Sequence, residues 1–353
     1  MCMSYFFCNF VPEFGFKCKM KRKIAIIAGG DSSEHEVSLR SAAGLYSFMD
    51  KERYDVTIVV FDGKNWYAVP ALENGEWKLE NDSYPIDKND FSFTRAGVKH
   101  TFDFAYITIH GTPGENGILQ GYLDMIGMPY SCCGVLAAAL TFNKYACNHY
   151  LSYFGFHIAN SMMLRAGQKL PNAPKIAETL GLPCFIKSNV GGSSFGCTKV
   201  KTVEAIYPAI ERAFQEGDEV ICEAFMQGTE VTCGVYKTKD KAVAFPITEV
   251  VTHNEFFDYD AKYKGEVDEI TPARIPDALR DKIQAETLRL YDIIGANGII
   301  RVDWIITGEQ INLLEVNTTP GMTPTSFIPQ QVRAAGLDIK DVLTDIIENK
   351  FAQ

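Results

Sequence analysis

The chain has 353 residues, too many for one ordinary core and enough for two or three packed domains. Hydrophobic residues make up 46% and charged residues 22%, and no run reaches the roughly 18 apolar residues of a membrane-spanning helix, so a soluble protein without a membrane partner is expected. A formal net charge of −10 argues against a general affinity for nucleic acid but leaves room for a local basic pocket that takes a small phosphorylated ligand.

Ten cysteines are scattered along the chain with no CxxC pair and no Cys/His cluster at ligand spacing. Reduced, mostly buried thiols in a cytosolic protein are expected rather than a disulfide framework or a structural zinc site. Residues 1–19 lack the basic start and small-residue cleavage site of a secretory signal. Met20-Lys21-Arg22-Lys23 runs straight into an apolar stretch, so Met20 is expected to be the natural start, or the preceding segment a disordered appendage.

Ile24 to Ala28 predicts a strand, Gly29-Gly30 a turn, and Ser32 or Ser33 the N-cap of a helix with acids in its first turn. Val56 to Phe61 predicts the second strand of a parallel βαβ unit, and Phe104 to Ile109 a further strand that ends at His110-Gly111. Residues 62–100 read as irregular and polar. An open α/β domain over residues 20–132 follows. A helical stretch from Val135 to Phe154 opens a central unit over 133–223, with strands at Pro183–Lys187 and Val220–Glu223 and a helix over Val203–Gln215. The last unit, 224–353, carries strands over Glu230–Tyr236, Gly298–Ile306 and Ile311–Asn317, and a helix from Asp338 onward.

Two familiar nucleotide motifs are missing. Gly29-Gly30 does not extend to G-x-G-x-x-G, and G-x-x-x-x-G-K-[ST] occurs nowhere. The segment Val190 to Gly196 can instead turn backbone N–H groups and the Ser193 and Ser194 hydroxyls toward a phosphate, with Lys187 placing a cation beside it. It fits equally an ordinary Gly/Ser hairpin beside a solvated lysine. Asp303, Glu315 and Asn317 stand in strands otherwise built of Ile, Val, Leu and Trp, where hard oxygen ligands suit Mg²⁺ shared with nucleotide phosphates. The alternative is a hairpin with its polar face in water. A two-residue turn pairing Ile306 with Ile311 would put Asp303 and Glu315 on opposite faces, so the metal reading needs an odd register, such as a three-residue turn over Gly308–Gln310. The aromatic, charged run Phe256 to Tyr263 fits an active-site lid as well as a surface loop held by its aromatics. The Thr318 to Thr323 segment reads as a turn whose Gly321 permits close backbone approach and an oxyanion-donating N–H.

Taken in order, Gly29-Gly30 through Glu34 to Ser38, His110 to Gly117, Gly192 to Gly196, Asp258 to Tyr263, Arg301-Val-Asp303 and Glu315-Val-Asn317 through Gly321 resemble the D-alanine–D-alanine ligases of the ATP-grasp superfamily. Each motif alone is weak; the ordered set is specific and spans nearly everything from Lys23 to the C-terminal helix. The resemblance implies a three-domain ATP-grasp architecture, with the N-terminal open α/β domain followed by central and C-terminal domains that hold the nucleotide between them. It implies that Glu34 binds the ammonium of the first D-alanine in a network with Ser193 and Tyr263, that His110 lies at the substrate, and that Ser326 meets the second substrate's carboxylate. Lys144, Lys187 and Lys262 would contact the phosphates of ATP together with Ser194, and Glu223 and Glu230 the adenine and ribose. Asp303, Glu315 and Asn317 would hold two Mg²⁺ ions, which Mn²⁺ can replace, and Arg301 with the Gly321 N–H would stabilise the tetrahedral adduct. Lys187-Ser188, Gly191 and Phe327 depart from the family's frequent residues. Tyr263 favours an amine as second nucleophile, and a cytoplasmic homodimer serving peptidoglycan precursor synthesis is the expected setting. Two rivals remain at this stage: another ATP-grasp ligase, including a depsipeptide ligase, and a non-catalytic ATP-binding regulator.

Overall fold

The computed structural model describes residues 21–71, 74–191, 196–252 and 267–352. Three sheets organise them. The first contains β1 (Arg22–Gly29), β2 (Tyr54–Asp62), β3 (Asn65–Pro70), β4 (Tyr84–Asp87), β5 (Ser92–Arg95), β6 (Val98–His100) and β7 (Phe104–Ile107), in the order β6-β5-β4-β3-β2-β1-β7. Strand β1 pairs in parallel with both β2 and β7, with helix α1 (His35–Phe48) as the crossover. Its residues Ile24 to Ala28 are fully buried, which is why they form an unbroken apolar run rather than an alternating one.

Residues 62–100 are not irregular. They extend the sheet as the antiparallel strands β3 to β6. The strands are short, and their signal lies in the turns: Gly63-Lys64 joins β2 to β3, and Ala96-Gly97, both at positive φ, joins β5 to β6. Trp66 stacks on Phe61 with centroids 4.0 Å apart, so an aromatic cluster covers this half of the sheet.

After α2 (Ile118–Met125), the expected single helix over 135–154 is broken into α3 (Val135–Phe142) and α4 (Lys144–Ser152). Asn143 is extended at the break, and its side chain accepts a hydrogen bond from Ala146 N at 2.9 Å, capping α4. The second sheet has β8 (Ser161–Arg165), β9 (Cys184–Ser188), β10 (Thr198–Val200) and β11 (Glu219–Ala224), in the antiparallel order β10-β9-β11-β8. Helices α5 (Ala173–Leu180) and α6 (Ile206–Ala213) cover one face through Ile176, Ile186, Ile210 and Val220.

The third sheet contains β12 (Thr229–Lys237), β13 (Ala242–Ala244), β14 (Thr248–Thr252), β15 (Val267–Ile270), β16 (Ile299–Thr307) and β17 (Gln310–Asn317), in the order β15-β14-β12-β16-β17 with β13 on β12. One face carries Val231, Cys233, Val302, Trp304 and Leu313 and is buried beneath α3, α4 and α7 (Asp277–Ile293), a helix the sequence reading leaves unassigned. Helix α8 (Phe327–Ala334) packs on part of the other face at Gly234, and α9 (Ile339–Asn349) packs on the first domain. Asp338 caps α9 where the helix was predicted to begin. Cys132, Cys133, Cys147, Cys184, Cys222 and Cys233 are buried free thiols, and Cys197 is a half-buried one.

The first and third units meet at Gly44 of α1, where an added Cβ would stand 2.3 Å from the Met322 carbonyl oxygen. Gly44→Ala is expected to lower the urea-unfolding midpoint, costing about 1–3 kcal/mol despite alanine's better helix propensity, because the opposing atom is backbone and cannot rotate away.

Candidate active site

The C-terminal ends of β1 and β7 point into a crevice where the chain leaves β1 for α1, the place where an open parallel sheet presents its loops. Gly29 and Gly30 have φ of +89° and +99°, and a Cβ on Gly29 would stand 2.3 Å from the Phe61 carbonyl oxygen, so only glycine makes this turn. The loop that follows is tied to the β7 loop: Asp31 N donates to Thr112 O at 2.9 Å, and Ser32 Oγ donates to His110 O at 2.7 Å. Ser32 Oγ also accepts from Glu34 N at 3.2 Å. The helix therefore starts later than predicted: Glu34, not Ser32 or Ser33, is the N-cap residue, and its side chain makes no cap bond. That leaves the buried Glu34 carboxylate at the crevice.

His110 is buried, with Nε2 3.2 Å from Ser41 Oγ, which also accepts from Met322 N at 3.4 Å. Beside it Glu115 accepts from Gly111 N at 2.7 Å. Burial, and then the Glu34 carboxylate, push the Glu115 carboxyl up to about 7. Glu115 was not singled out from sequence, although it sits within the His110 to Gly117 motif.

The second sheet contributes cations. Lys187 on β9 and Glu223 on β11 are diagonal neighbours on one face and form an ion pair at 2.6 Å. Burial would lower the Lys187 ammonium, but Glu223 and then Glu315 outweigh it and hold it above its ordinary value. Lys144, the first residue of α4, donates to Gly191 O at 2.5 Å and lies 3.9 Å from a Glu315 oxygen. Asn189 docks the start of α4 against the strand end: its Oδ1 accepts from Tyr145 N at 2.9 Å, its backbone carbonyl accepts from Lys144 N, and its Nδ2 donates to Glu219 at 2.7 Å.

The third sheet supplies the acids, and here the register decides. Ile306 pairs with Ile311 and Thr307 with Gln310, so the turn has two residues and the three-residue turn over Gly308–Gln310 does not form. Trp304 pairs with Leu313 but Asp303 pairs with Glu315, leaving Leu314 as the extra residue of a β-bulge. The odd register is supplied by the bulge. Directly opposed residues share a face, so Asp303 with Glu315, and Arg301 with Asn317, line one side of the sheet. Glu230 and Thr232 of β12 join them across β16. Arg301 grips Asp303 with bonds of 2.9 and 2.8 Å, and Thr232 Oγ1 donates to Asp303 at 2.5 Å. Burial, then Asp303 and Glu315, push the Glu230 carboxyl up to about 8. Thr232 was missed from sequence, though its spacing of two from Glu230 puts it on the same face.

These groups surround a cavity of about 710 Å³ lined by Glu34, Lys144, Lys187, Glu223, Glu230, Arg301, Asp303 and Glu315. A smaller one of about 60 Å³ is lined by His110, Glu115 and Asn317 and shares Glu34, Lys144, Arg301 and Glu315 with it. Gly321 and Ser326 do not line either. They stand together behind the walls: a Cβ on Gly321 would lie 3.0 Å from Ser326 Oγ, which accepts from Thr323 N at 3.1 Å. Ser193, Ser194, Lys262 and Tyr263 lie outside the described residues, as does the lid segment. Among the described residues no three His, Cys, Asp or Glu side chains form a metal-holding group; the donor set at Asp303 is two carboxylates and the Asn317 amide.

Family models match almost the whole of this frame: the D-ala D-ala ligase N-terminus over residues 23–133 and the D-ala D-ala ligase C-terminus over 151–348. The chain belongs to the D-alanine–D-alanine ligase family. A D-alanine--D-alanine ligase of Bacteroides fragilis is 66% identical over 333 residues, covering 94% of this chain and all of that protein. Among solved structures, the VanG D-Ala:D-Ser ligase of Enterococcus faecalis is 30% identical with a TM-score of 0.81, covering 94% of this chain and 99% of that one. The D-alanine--D-alanine ligase of Bacillus anthracis complexed with ATP is 25% identical with a TM-score of 0.73, covering 94% and 97%. The chain shares its fold with these two solved structures over nearly its whole length.

The raised Glu115 carboxyl makes the ligand-free protein sensitive to pH. Between the unfolded value near 4.5 and about 7 the folded state holds a proton that the unfolded state releases, so stability falls as pH rises through this window. Glu115→Gln keeps an acceptor for Gly111 N and removes the titration. Urea unfolding at pH 5 and pH 8 is expected to show a smaller loss in the variant than in the wild type, by about 1 kcal/mol or more.

Proposed function

We propose that the chain is an ATP-dependent ligase that joins two D-alanine molecules into D-alanyl-D-alanine through a D-alanyl phosphate, in the cytoplasm, as a homodimer, for peptidoglycan precursor synthesis. The observation that carries the reading is the bulged pairing of β16 and β17, which sets Asp303 and Glu315 on the face opposite Lys144 and Lys187, with Glu34 across the same cavity. Among the described residues no helix is long and apolar enough to cross a membrane.

The chemistry follows from the weakness of a carboxylate as an electrophile. An oxygen of the first D-alanine carboxylate attacks the γ-phosphorus of ATP, the bond to the bridging oxygen breaks, and ADP leaves. The amine of the second D-alanine then attacks the acyl carbon, the C–O bond to phosphate breaks, and the nitrogen gives up its proton. Glu34 holds the ammonium of the first substrate, and His110 and Glu115 border that end of the site. Lys144 and Lys187 take the phosphates, and Glu223 and Glu230 face the adenosine. Arg301 and the Gly321 N–H stabilise the oxyanion of the adduct, and Ser326 receives the second carboxylate. Ser193, Ser194, Lys262 and Tyr263 complete the set, the last two on a lid that keeps water from the acyl phosphate.

Acids outnumber cations in the cavity lining, so a triphosphate would be repelled unless divalent cations stood between. The hard oxygens of Asp303, Glu315 and Asn317 fit such ions and would hold two Mg²⁺, or Mn²⁺, which neutralise phosphate charge when bound. Arg301 donates to both oxygens of Asp303 and so fixes the orientation of that carboxylate.

Phosphate release with ATP and Mg²⁺ is expected with D-alanine but not L-alanine, matched by D-alanyl-D-alanine identified by mass, with the dipeptide dominating when D-lactate or D-serine competes. A mixed product as the main species would replace this reading with another ligase of the family, and nucleotide binding without turnover would replace it with a regulator. Glu315→Gln is expected to reduce turnover by at least about 100-fold with an unchanged circular dichroism spectrum.

A further inference from the structure

The bulge at Leu314 has to be held by something. An extra residue in one strand leaves its ladder partner missing, and inside a protein the carbonyl of such a residue needs another donor. Asn148 provides it. This residue of α4 is buried, and its Nδ2 donates to Leu314 O at 3.1 Å. Its Oδ1 is buried with no partner among the described residues, so the side chain contributes one bond while carrying an unmatched polar atom into the core, a poor arrangement for stability alone. Neighbouring contacts act on the same point: Leu313 N donates to His157 O at 2.8 Å, and Ile158 forms a parallel bridge with Leu313. Asn148 also lies one turn after Lys144, whose ammonium approaches Glu315, so a single face of α4 touches both the bulge and the carboxylate beyond it.

We propose that Asn148 is a positioning residue for the Asp303–Glu315 pair: its amide maintains the bulge at Leu314 and thereby keeps Glu315 on the face of Asp303. Without that donor the Leu314 carbonyl is left unmatched and the bulge is free to shift, which moves Glu315 out of its place beside Asp303. The proposal rests on the reading of Asp303, Glu315 and Asn317 as the cation site. It concerns geometry, so Asn148→Leu, which also removes the unmatched Oδ1, separates position from stability.

The test is Mn²⁺ binding to the full chain with a non-hydrolysable ATP analogue, followed by the paramagnetic resonance signal of free Mn²⁺, for wild type, Asn148→Leu and Glu315→Gln. The expected result is Mn²⁺ affinity reduced roughly 10–100-fold in Asn148→Leu, with metal-free analogue binding within about twofold of wild type and the melting temperature nearly unchanged. Asn148→Ala, which introduces no new bulk, serves if the leucine variant does not fold. Wild-type Mn²⁺ affinity in the Asn148 variants alongside a loss in Glu315→Gln overturns the positioning role and leaves the cation site standing. Equal affinity in wild type and Glu315→Gln overturns the cation site and this proposal with it. Parallel loss of Mn²⁺ affinity, metal-free binding and melting temperature overturns it in favour of a purely structural asparagine.

Discussion

One extra residue in one strand decides the site. The β16–β17 hairpin is built on a two-residue turn, and a regular ladder from that turn would send Glu315 into the core face already filled by Val302, Trp304 and Leu313. Inserting Leu314 reverses the side-chain alternation beyond it, so Val316 returns to the core and Glu315 and Asn317 come out beside Asp303 and Arg301. Around the hairpin the sheet thus keeps its core face apolar and gathers Arg301, Asp303, Glu315 and Asn317 on the other.

Gathering them has a cost that shapes the rest of the cavity. Buried ions lose several kcal/mol of hydration each, and an ion pair recovers this only with good geometry and further hydrogen bonds. The structure answers with paired groups: Arg301 forked onto Asp303 with Thr232 as a third donor, and Lys187 on Glu223. Among the described residues Glu230 has no such fork, and burial with the neighbouring acids makes it bind its proton more tightly. A site so charged is poorly suited to stabilising a fold and is suited to binding charged ligands; a solved relative, the D-alanine--D-alanine ligase of Bacillus anthracis, is complexed with ATP.

The first domain reaches the same cavity by backbone constraints. Its glycine turn after β1 and the hydrogen bonds between the β1 and β7 loops hold Glu34, His110 and Glu115 in one crevice, while Gly44 lets the Met322 backbone settle against α1. The two carboxylates of Glu34 and Glu115 are close enough that one raises the other's proton affinity. The two compartments of the cavity thus draw on different sheets and are joined through Lys144, Arg301 and Glu315, which line both.

Much of this was legible in the residues. The buried run Ile24 to Ala28, the glycine turn that follows, the acids set among apolar strand residues and the ordered motifs were enough to name the family and most of the charged groups that line the cavity, because burial pattern, turn chemistry and charge are local properties. The strands in 62–100 escaped because each is only three to six residues long and is stabilised by cross-strand aromatics rather than by its own pattern. The break at Asn143 escaped because helix-compatible residues continue on either side of it, and the choice is made by the cap and by Glu219 from a distant strand. The sequence alone determined that Asp303 and Glu315 needed an odd register to meet. Only the tertiary structure decided how, because a bulge is stabilised by whichever donor reaches the freed carbonyl, and that donor, Asn148, lies 166 positions away on a helix packed across the sheet.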